Sequence, residues 1–341
     1  MKVFSSESHR LHFPNGELFG GEFVRPFECP ERWDYIVDRL KQRGYSNFVT
    51  PGELNLSVVA KVHSQDYIQF LENAWNEWAA EGYTADALPT VVPARRMQQR
   101  IPNHIDGKLG YYCMAMETAI TSGTWQAVKS SAACAIYAQK QVISEGSAFA
   151  LCRPPGHHSG KDLYGGYCFL NNAAIAVQSF LDDGAKRVAL LDVDFHHGNG
   201  SQDIFYDRDD VLFLSLHGRP EDAFPHFLGY QDEYGASNGE GFNVNFPMPP
   251  GTTYDLWGDA LNQACKKITE FSPDAVVVSL GVDTFEDDPI SFFKLSSDNF
   301  KSYGERIGQL KLPTLFVMEG GYAVEEIGVN TVNVLDAYQG A

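Results

Sequence analysis

Five short runs of branched apolar residues punctuate the chain: 147–152 (SAFALC), 187–191 (RVALL), 211–216 (VLFLSL), 275–280 (AVVVSL) and 313–318 (PTLFVM). None alternates apolar with polar positions. Strands covered on both faces have no polar side to show, so these runs read as buried strands of a parallel sheet. Between them, apolar residues recur at helical spacing. Over 172–183, Ala174, Ile175, Val177, Phe180 and Leu181 fall near one face, and Gly184 is a natural stop. Segments 253–271 and 298–310 follow the same pattern, and Pro30 is placed to open a helix over 31–44. Strand and helix alternate. The pattern predicts α/β architecture, a single domain over 1–341 with a mainly parallel multistranded sheet flanked by helices.

One segment breaks this order. Residues 82–123 contain Pro89, Pro93 and Pro102 and carry Arg95, Arg96, Arg100 and Lys108. The segment reads as a long loop with a short helix, either functional or interfacial on one view, a solvated surface loop on the other. Composition narrows the class further. With 44% hydrophobic and 21% charged residues, the chain is neither collagen, coiled coil nor disordered. Its 44 acidic against 26 basic residues give a net charge of -18. That charge repels phosphate backbones, so no nucleic-acid partner is expected. It suits a cationic small molecule, or solubility alone. The N-terminal MKVFSSESHRLHF lacks the apolar core of a signal peptide, and no apolar run approaches the ~20 residues of a membrane span. A cytoplasmic protein with no membrane partner is expected. The six cysteines are scattered without a CxxC pair, which fits buried small apolar residues rather than a disulfide framework.

Polar residues gather just after the apolar runs. His157 and His158 follow the first (RPPGHH); Asp192, Asp194, His196, His197 and Asn199 follow the second (DVDFHHGNG). His217 follows the third, Asp283 the fourth (GVDTFEDDP) and Tyr322 the fifth (EGGY). Open α/β sheets build their sites beyond the carboxyl ends of strands, so five strand ends deliver His, Asp and Tyr to one rim. If the second strand continues, Asp192, Asp194 and His196 project to one side with period two. Two carboxylates and one imidazole, with Asp283 as a third ligand from the next strand end, make an open first-row transition-metal site. A lone DxDxH is weak, because Asp and His also cap strands. The matching Asp283 and His157–His158 strengthen it.

These motifs, with YGGYCFLNNAA (164–174), LDVDFHHGNGSQDIFY (191–206), SLHG (215–218) and SLGVDTFEDDP (279–289), closely resemble the arginase–deacetylase superfamily of zinc amidohydrolases. Within it, the chain is similar to the bacterial acetylpolyamine amidohydrolases, along nearly its whole length. The resemblance implies kinship with histone deacetylases too, so protein lysine deacetylation is the alternative activity. It makes Asp194, His196 and Asp283 the zinc ligands, His158 the general base and acid, Tyr322 the electrophile, and His157 a support paired with Asp192. It implies structural K+ as well. One ion would rest on Asp192, Ser215 and the backbone of Asp194, His196 and Leu216; a second on the backbone of Phe205, Arg208, Val211 and Asn243.

The related histone deacetylases usually carry Asp where this chain has Asn199. A neutral amide raises the His158 pKa less than a carboxylate would. Asn199 can also be read as shaping a turn between Gly198 and Gly200. By resemblance, Tyr167 and Phe224 wall the substrate tunnel, while Gly165 and Gly166 let the backbone approach the substrate. Glu17 and Phe19 are expected near the mouth, and Asp106 and Glu117 lie in the 82–123 insertion, which the resemblance places across a homodimer interface. The expected substrate is a cationic acetylated amine. An arginase-type binuclear manganese site is disfavoured, since Gly281 and Asn199 stand where further carboxylates are wanted. A non-catalytic acetyl-amine binder does not need the complete ligand, base and Tyr set.

Overall fold

The computed structural model describes residues 1–341. Its strands are β1 (Lys2–Phe4), β2 (Glu17–Phe19), β3 (Glu22–Val24), β4 (Phe48–Val49), β5 (Ser147–Ala150), β6 (Val188–Asp192), β7 (Val211–Gly218), β8 (Asn243–Met248), β9 (Ala275–Leu280) and β10 (Thr314–Met318). The helices are α1 (Glu31–Gln42), α2 (Leu56–Val59), α3 (Gln65–Ala80), α4 (Ile105–Tyr111), α5 (Thr124–Glu145), α6 (Asn172–Asp182), α7 (Asn199–Phe205), α8 (Tyr254–Phe271), α9 (Ser297–Gly308) and α10 (Ile327–Gly340). Eight strands make one sheet in the order β4-β1-β5-β10-β9-β6-β7-β8, with every neighbouring pair parallel. Strands β2 and β3 form a separate antiparallel hairpin.

The apolar runs are continuous because the sheet has a core on each face. In β6, Val188 and Leu190 join one cluster, packed with residues of α3, α5 and α6. Ala189 and Leu191 join the other, packed with α1, α8, α9 and α10. Every residue of β6, β7, β9 and β10 is buried. Truncating a core leucine such as Leu190 to alanine would cost about 2–5 kcal/mol. The helix signals hold in the same way. Asn171 caps α6 by accepting from the Ala174 amide at 2.9 Å, and Gly184 beyond its end takes φ +104°.

The hydrophobic pattern did not disclose β1, β4 or β8. The first two have three and two residues, too short for a pattern. Edge strand β8 is only half buried and carries Pro247, which an edge tolerates. No helix is long and apolar enough to cross a membrane. All six cysteines are free and buried.

After β5 the chain reaches β6 and runs outward to β7 and β8. It then returns to fill β9 and β10 between β6 and β5. The strand order reverses there, and the crevice beyond these carboxyl ends is where such sheets bind ligands.

Candidate active site

Strand β6 ends at Asp192, so the period-two projection of Asp192, Asp194 and His196 is not what brings side chains together. The chain turns instead, and carboxylates hold the turn. Asp192 Oδ1 accepts from the Asp194 amide at 3.1 Å, and Asp194 Oδ1 from the His196 amide at 2.8 Å. Asp283 Oδ1 accepts from the Phe195 amide at 2.7 Å, and Asp194 Oδ2 from the Gly320 amide at 2.8 Å. The turn sends Asp192 to His157, while Asp194, His196 and Asp283 converge, buried, with one ligand atom each inside a 4.8 Å span. His196 Nδ1 stands 2.9 Å from Asp283 Oδ2 and 3.3 Å from Asp194 Oδ1.

No lysine or arginine pairs with either carboxylate; their only ion partners are histidines. Burial, then Asp194, push the Asp283 carboxyl well above its usual range. Burial opposes the charge on His196, but its hydrogen bonds to Asp194 and Asp283 outweigh it and raise the imidazole to about 10. A cation held between the two acids would relieve their repulsion. Two oxygens and one nitrogen fit a transition metal with open positions. A Cβ on Gly281 would lie 2.0 Å from Asp194 Oδ2, and one on Gly320 would lie 2.6 Å from the same atom. No further carboxylate can enter from those positions. A second buried trio, His157, Cys168 and Glu319, also comes within 4.8 Å. Its groups are already engaged: His157 with Asp192, and Glu319 Oε2 with the amides of Gly156 at 2.7 Å and His157 at 3.2 Å.

The paired histidines differ in charge. His157 Nδ1 is 2.9 Å from Asp192 Oδ2; burial opposes its charge, but Asp194 and Asp192 raise it to about 10. His158 is pulled well below its usual value by burial, then by His157 and His196. Its Nδ1 lies 2.7 Å from Asn199 Oδ1. The Asn199 amide nitrogen donates to Met114 Sδ at 3.2 Å and to the His158 carbonyl at 3.3 Å. With that orientation, His158 Nδ1 carries the hydrogen and Nε2 is a free base. Tyr322 is buried under the Arg32 guanidinium, 4.9 Å from its ring. Arg32 Nε donates to the Gly321 carbonyl at 2.7 Å, and a second arm reaches the Glu319 carbonyl at 2.5 Å. Sequence reasoning passed over Arg32 because the two carbonyls it holds lie near the other end of the chain.

These groups open into a cavity of about 270 Å3 lined by His158, His196 and Tyr322. Of the expected tunnel residues, Glu17, Phe19, Glu117, Gly166, Tyr167 and Phe224 line it. Asp222, His226, Ile290 and Phe292 line it too, and no local signal marked them. The Phe224 ring sits edge-on to His158 at 5.0 Å, and Tyr167 lies 5.6 Å from Tyr322. Gly166, at φ +57°, admits no side chain: a Cβ would meet His158 Cδ2 at 2.4 Å.

Two of the acids serve the wall. Glu17 is buried and accepts from the Tyr167 hydroxyl at 2.9 Å and the Phe27 amide at 3.2 Å. Glu117 Oε1 accepts from the Gly166 amide at 2.8 Å. Asp222 pairs with Arg219. Asp106 does not line the cavity. It sits in the first turn of α4, 3.5 Å from His104 Nδ1, where a carboxylate complements the helix N-terminus.

Asp192 and Ser215 face one another in the β6–β7 register, with Leu216 buried beside them. The Arg208 amide bonds to the Phe205 carbonyl at 3.0 Å, Val211 opens β7, and Asn243 pairs with Phe213 across β7 and β8. His217 stays out of the rim; its Nδ1 is 2.8 Å from Ser215 Oγ and its Nε2 2.8 Å from the Gly229 carbonyl.

The model of the histone deacetylase domain matches residues 26–338. The chain is 54% identical over 342 residues to the acetylpolyamine amidohydrolase of Mycoplana ramosa, covering 100% of each. It is 53% identical to acetylpolyamine amidohydrolase 1 of Pseudomonas aeruginosa, covering 98% of each. Its fold is similar to the crystal structure of an acetylpolyamine aminohydrolase from Burkholderia pseudomallei, with a TM-score of 0.94, 36% identity, and 99% and 98% of the two chains covered.

Proposed function

Since the chain belongs to the histone deacetylase domain family, and so to the metal-dependent deacetylases with the arginase–deacetylase fold, we propose that it is a zinc-dependent amidohydrolase that removes acetyl groups from acetylated polyamines and diamines, giving acetate and free amine. The observation that carries this reading is the buried Asp194–His196–Asp283 cluster, opening beside a neutral His158 and Tyr322 into a narrow aromatic cavity.

Asp194, His196 and Asp283 would hold zinc, which supplies Lewis-acid polarisation of the amide carbonyl and a water of lowered pKa. His158 Nε2 takes a proton from the attacking water and returns it to the leaving amine. Asn199 keeps His158 in the tautomer that leaves Nε2 unprotonated. The Tyr322 hydroxyl donates to the developing oxyanion. Burial, the largest influence on it, keeps that hydroxyl protonated far above neutral pH. The His157–Asp192 pair keeps a positive charge beside His158, which resists premature protonation of the base. By the family resemblance, Asp192, Ser215 and Leu216, with the backbone of Asp194 and His196, would hold one structural K+, and the backbone of Phe205, Arg208, Val211 and Asn243 another.

The wall favours a slender substrate. Tyr167 and Phe224 offer faces to a flat acetamide and its methylene chain. Glu117 places negative charge on the cavity wall, where a distant ammonium would pass. The insertion exposes Val91, Val92 and Met97. An apolar surface of this kind suits a homodimer that narrows the mouth, and the reading takes the enzyme to act in the cytoplasm. Acetylputrescine, acetylcadaverine, acetylspermidine and an acetyl-lysine peptide should be compared at saturating zinc. The acetylated amines should be hydrolysed with higher kcat/KM. Equal efficiency on the peptide would make the chain a protein lysine deacetylase. Two equivalent transition metals per chain by elemental analysis would overturn the single-zinc reading.

A further inference from the structure

Tyr322 lies in a stretch without secondary structure, two residues after Gly320 and directly after Gly321, whose φ is +132°. Such a backbone does not aim a side chain by itself. Asp288 lies 34 residues away and is 6% exposed. Its Oδ2 accepts from the Tyr322 amide at 2.7 Å and from the Ala323 amide at 3.2 Å. Its Oδ1 accepts from the Ile290 amide at 3.1 Å, and Ile290 lines the cavity. The partners are all backbone amides. Burying a carboxylate without a counter-ion is costly, and three converging amides are what compensate it here.

We propose that Asp288 is a positioning residue for Tyr322: one carboxylate fixes both the turn that aims the phenol and the turn that brings Ile290 to the tunnel wall. This rests on the reading of Tyr322 as the oxyanion donor. The amide plane at Tyr322 sets the direction of its Cα–Cβ bond, and the hydroxyl stands far out along the side chain. A tilt of about 10° moves the phenol oxygen by roughly 1 Å, and misplacements of that size cost about 10²-fold in rate. Asparagine would serve only half of the arrangement. Its oxygen can accept from Tyr322 and Ala323, but its amide nitrogen would face the Ile290 N–H, donor against donor.

The test is a double-mutant cycle on the zinc-loaded enzyme with acetylputrescine. Asp288→Ala should lower kcat by about 10–100-fold with KM little changed, because the lost interaction belongs to the transition state. In the Tyr322→Phe background the same change should lower kcat by less than about threefold, since the hydroxyl it aims is gone. Asp288→Asn should restore kcat to within about fivefold of wild type. An equal kcat loss from Asp288→Ala in both backgrounds would overturn the proposal while leaving the role of Tyr322 intact. Wild-type kcat in Tyr322→Phe alone would overturn both. If Asp288→Ala does not fold, Asp288→Asn decides in the same two backgrounds: a kcat loss undiminished by Tyr322→Phe overturns the proposal, and a diminished one supports it.

Discussion

The rim above β5, β10, β9 and β6 and the insertion over 82–123 meet at one tunnel, yet they hold their side chains differently. At the rim each reacting group is fixed from several sides. Asp194 alone accepts from two backbone amides and contacts His157 and His196. In the insertion, residues 90–101 are all exposed. Only its last part touches the site, through Met114 to Asn199, Glu117 to Gly166 and Thr118 to Tyr167. Chemistry is therefore lodged where geometry is over-determined, and selectivity where few contacts set the wall. Changes at the rim should act on kcat, and changes in the insertion on KM.

The largest effect expected is at the proposed metal cluster of Asp194, His196 and Asp283. On the proposed reading Asp194→Ala removes a metal ligand, and it also removes a charge and the acceptor for the Gly320 amide, so turnover should fall below detection and bound metal with it. A metal-free but active variant, measured by elemental analysis beside kinetics, would break the contrast at its strongest point.

Next is the base. His158→Ala should lower kcat by about 10² or more, with substrate binding retained. The wild-type profile sharpens this. Burial and the neighbouring His157 depress the His158 pKa, so the proposed base is already neutral well below 6.5. With metal kept saturating, kcat/KM should not show an acid limb centred near 6.5. Such a limb would mean that His158 is not shielded as the geometry implies.

In the insertion, Val92→Asp with Met97→Asp should weaken self-association, read by sedimentation. It should raise KM for acetylputrescine by about three- to tenfold, the effect of one or two interface residues. The kcat should stay within about twofold of wild type. A kcat loss matching that of His158→Ala would erase the distinction between the two regions.

The smallest effect concerns stability. Burial lifts the Glu17 carboxyl from 4.5 to about 7, so the folded protein keeps it protonated where the unfolded chain does not. This contribution is complete below pH 4.5 and is lost as pH rises through about 7. Glu17→Gln should flatten the fall in urea midpoint between about pH 5 and 8. An unchanged slope would place the titration elsewhere.

The sequence by itself determined the parts that local pattern can encode. Unbroken apolar runs specify strands buried on both faces. Polar residues directly after them mark the strand ends that can carry chemistry, and so His157, His158, Asp194, His196, Asp283 and Tyr322 stand out as candidates in the sequence, and the fold brings them together. Tertiary structure decided what depends on residues distant in sequence meeting in space. It supplied the turn by which Asp192 reaches His157 while Asp194 and His196 turn toward Asp283, because β6 stops where carboxylates cap the turn. It placed Asp106 on α4, away from the cavity, though its charge reads like that of Glu117. It left no room for a side chain at Gly281, where a Cβ would collide with Asp194. It also brought Arg32 and Asp288 to Tyr322 across 289 and 34 residues of chain, to Gly321 and Tyr322 respectively. Burial and spacing are written along the chain. Contacts between distant segments arise only when the sheet order brings them together.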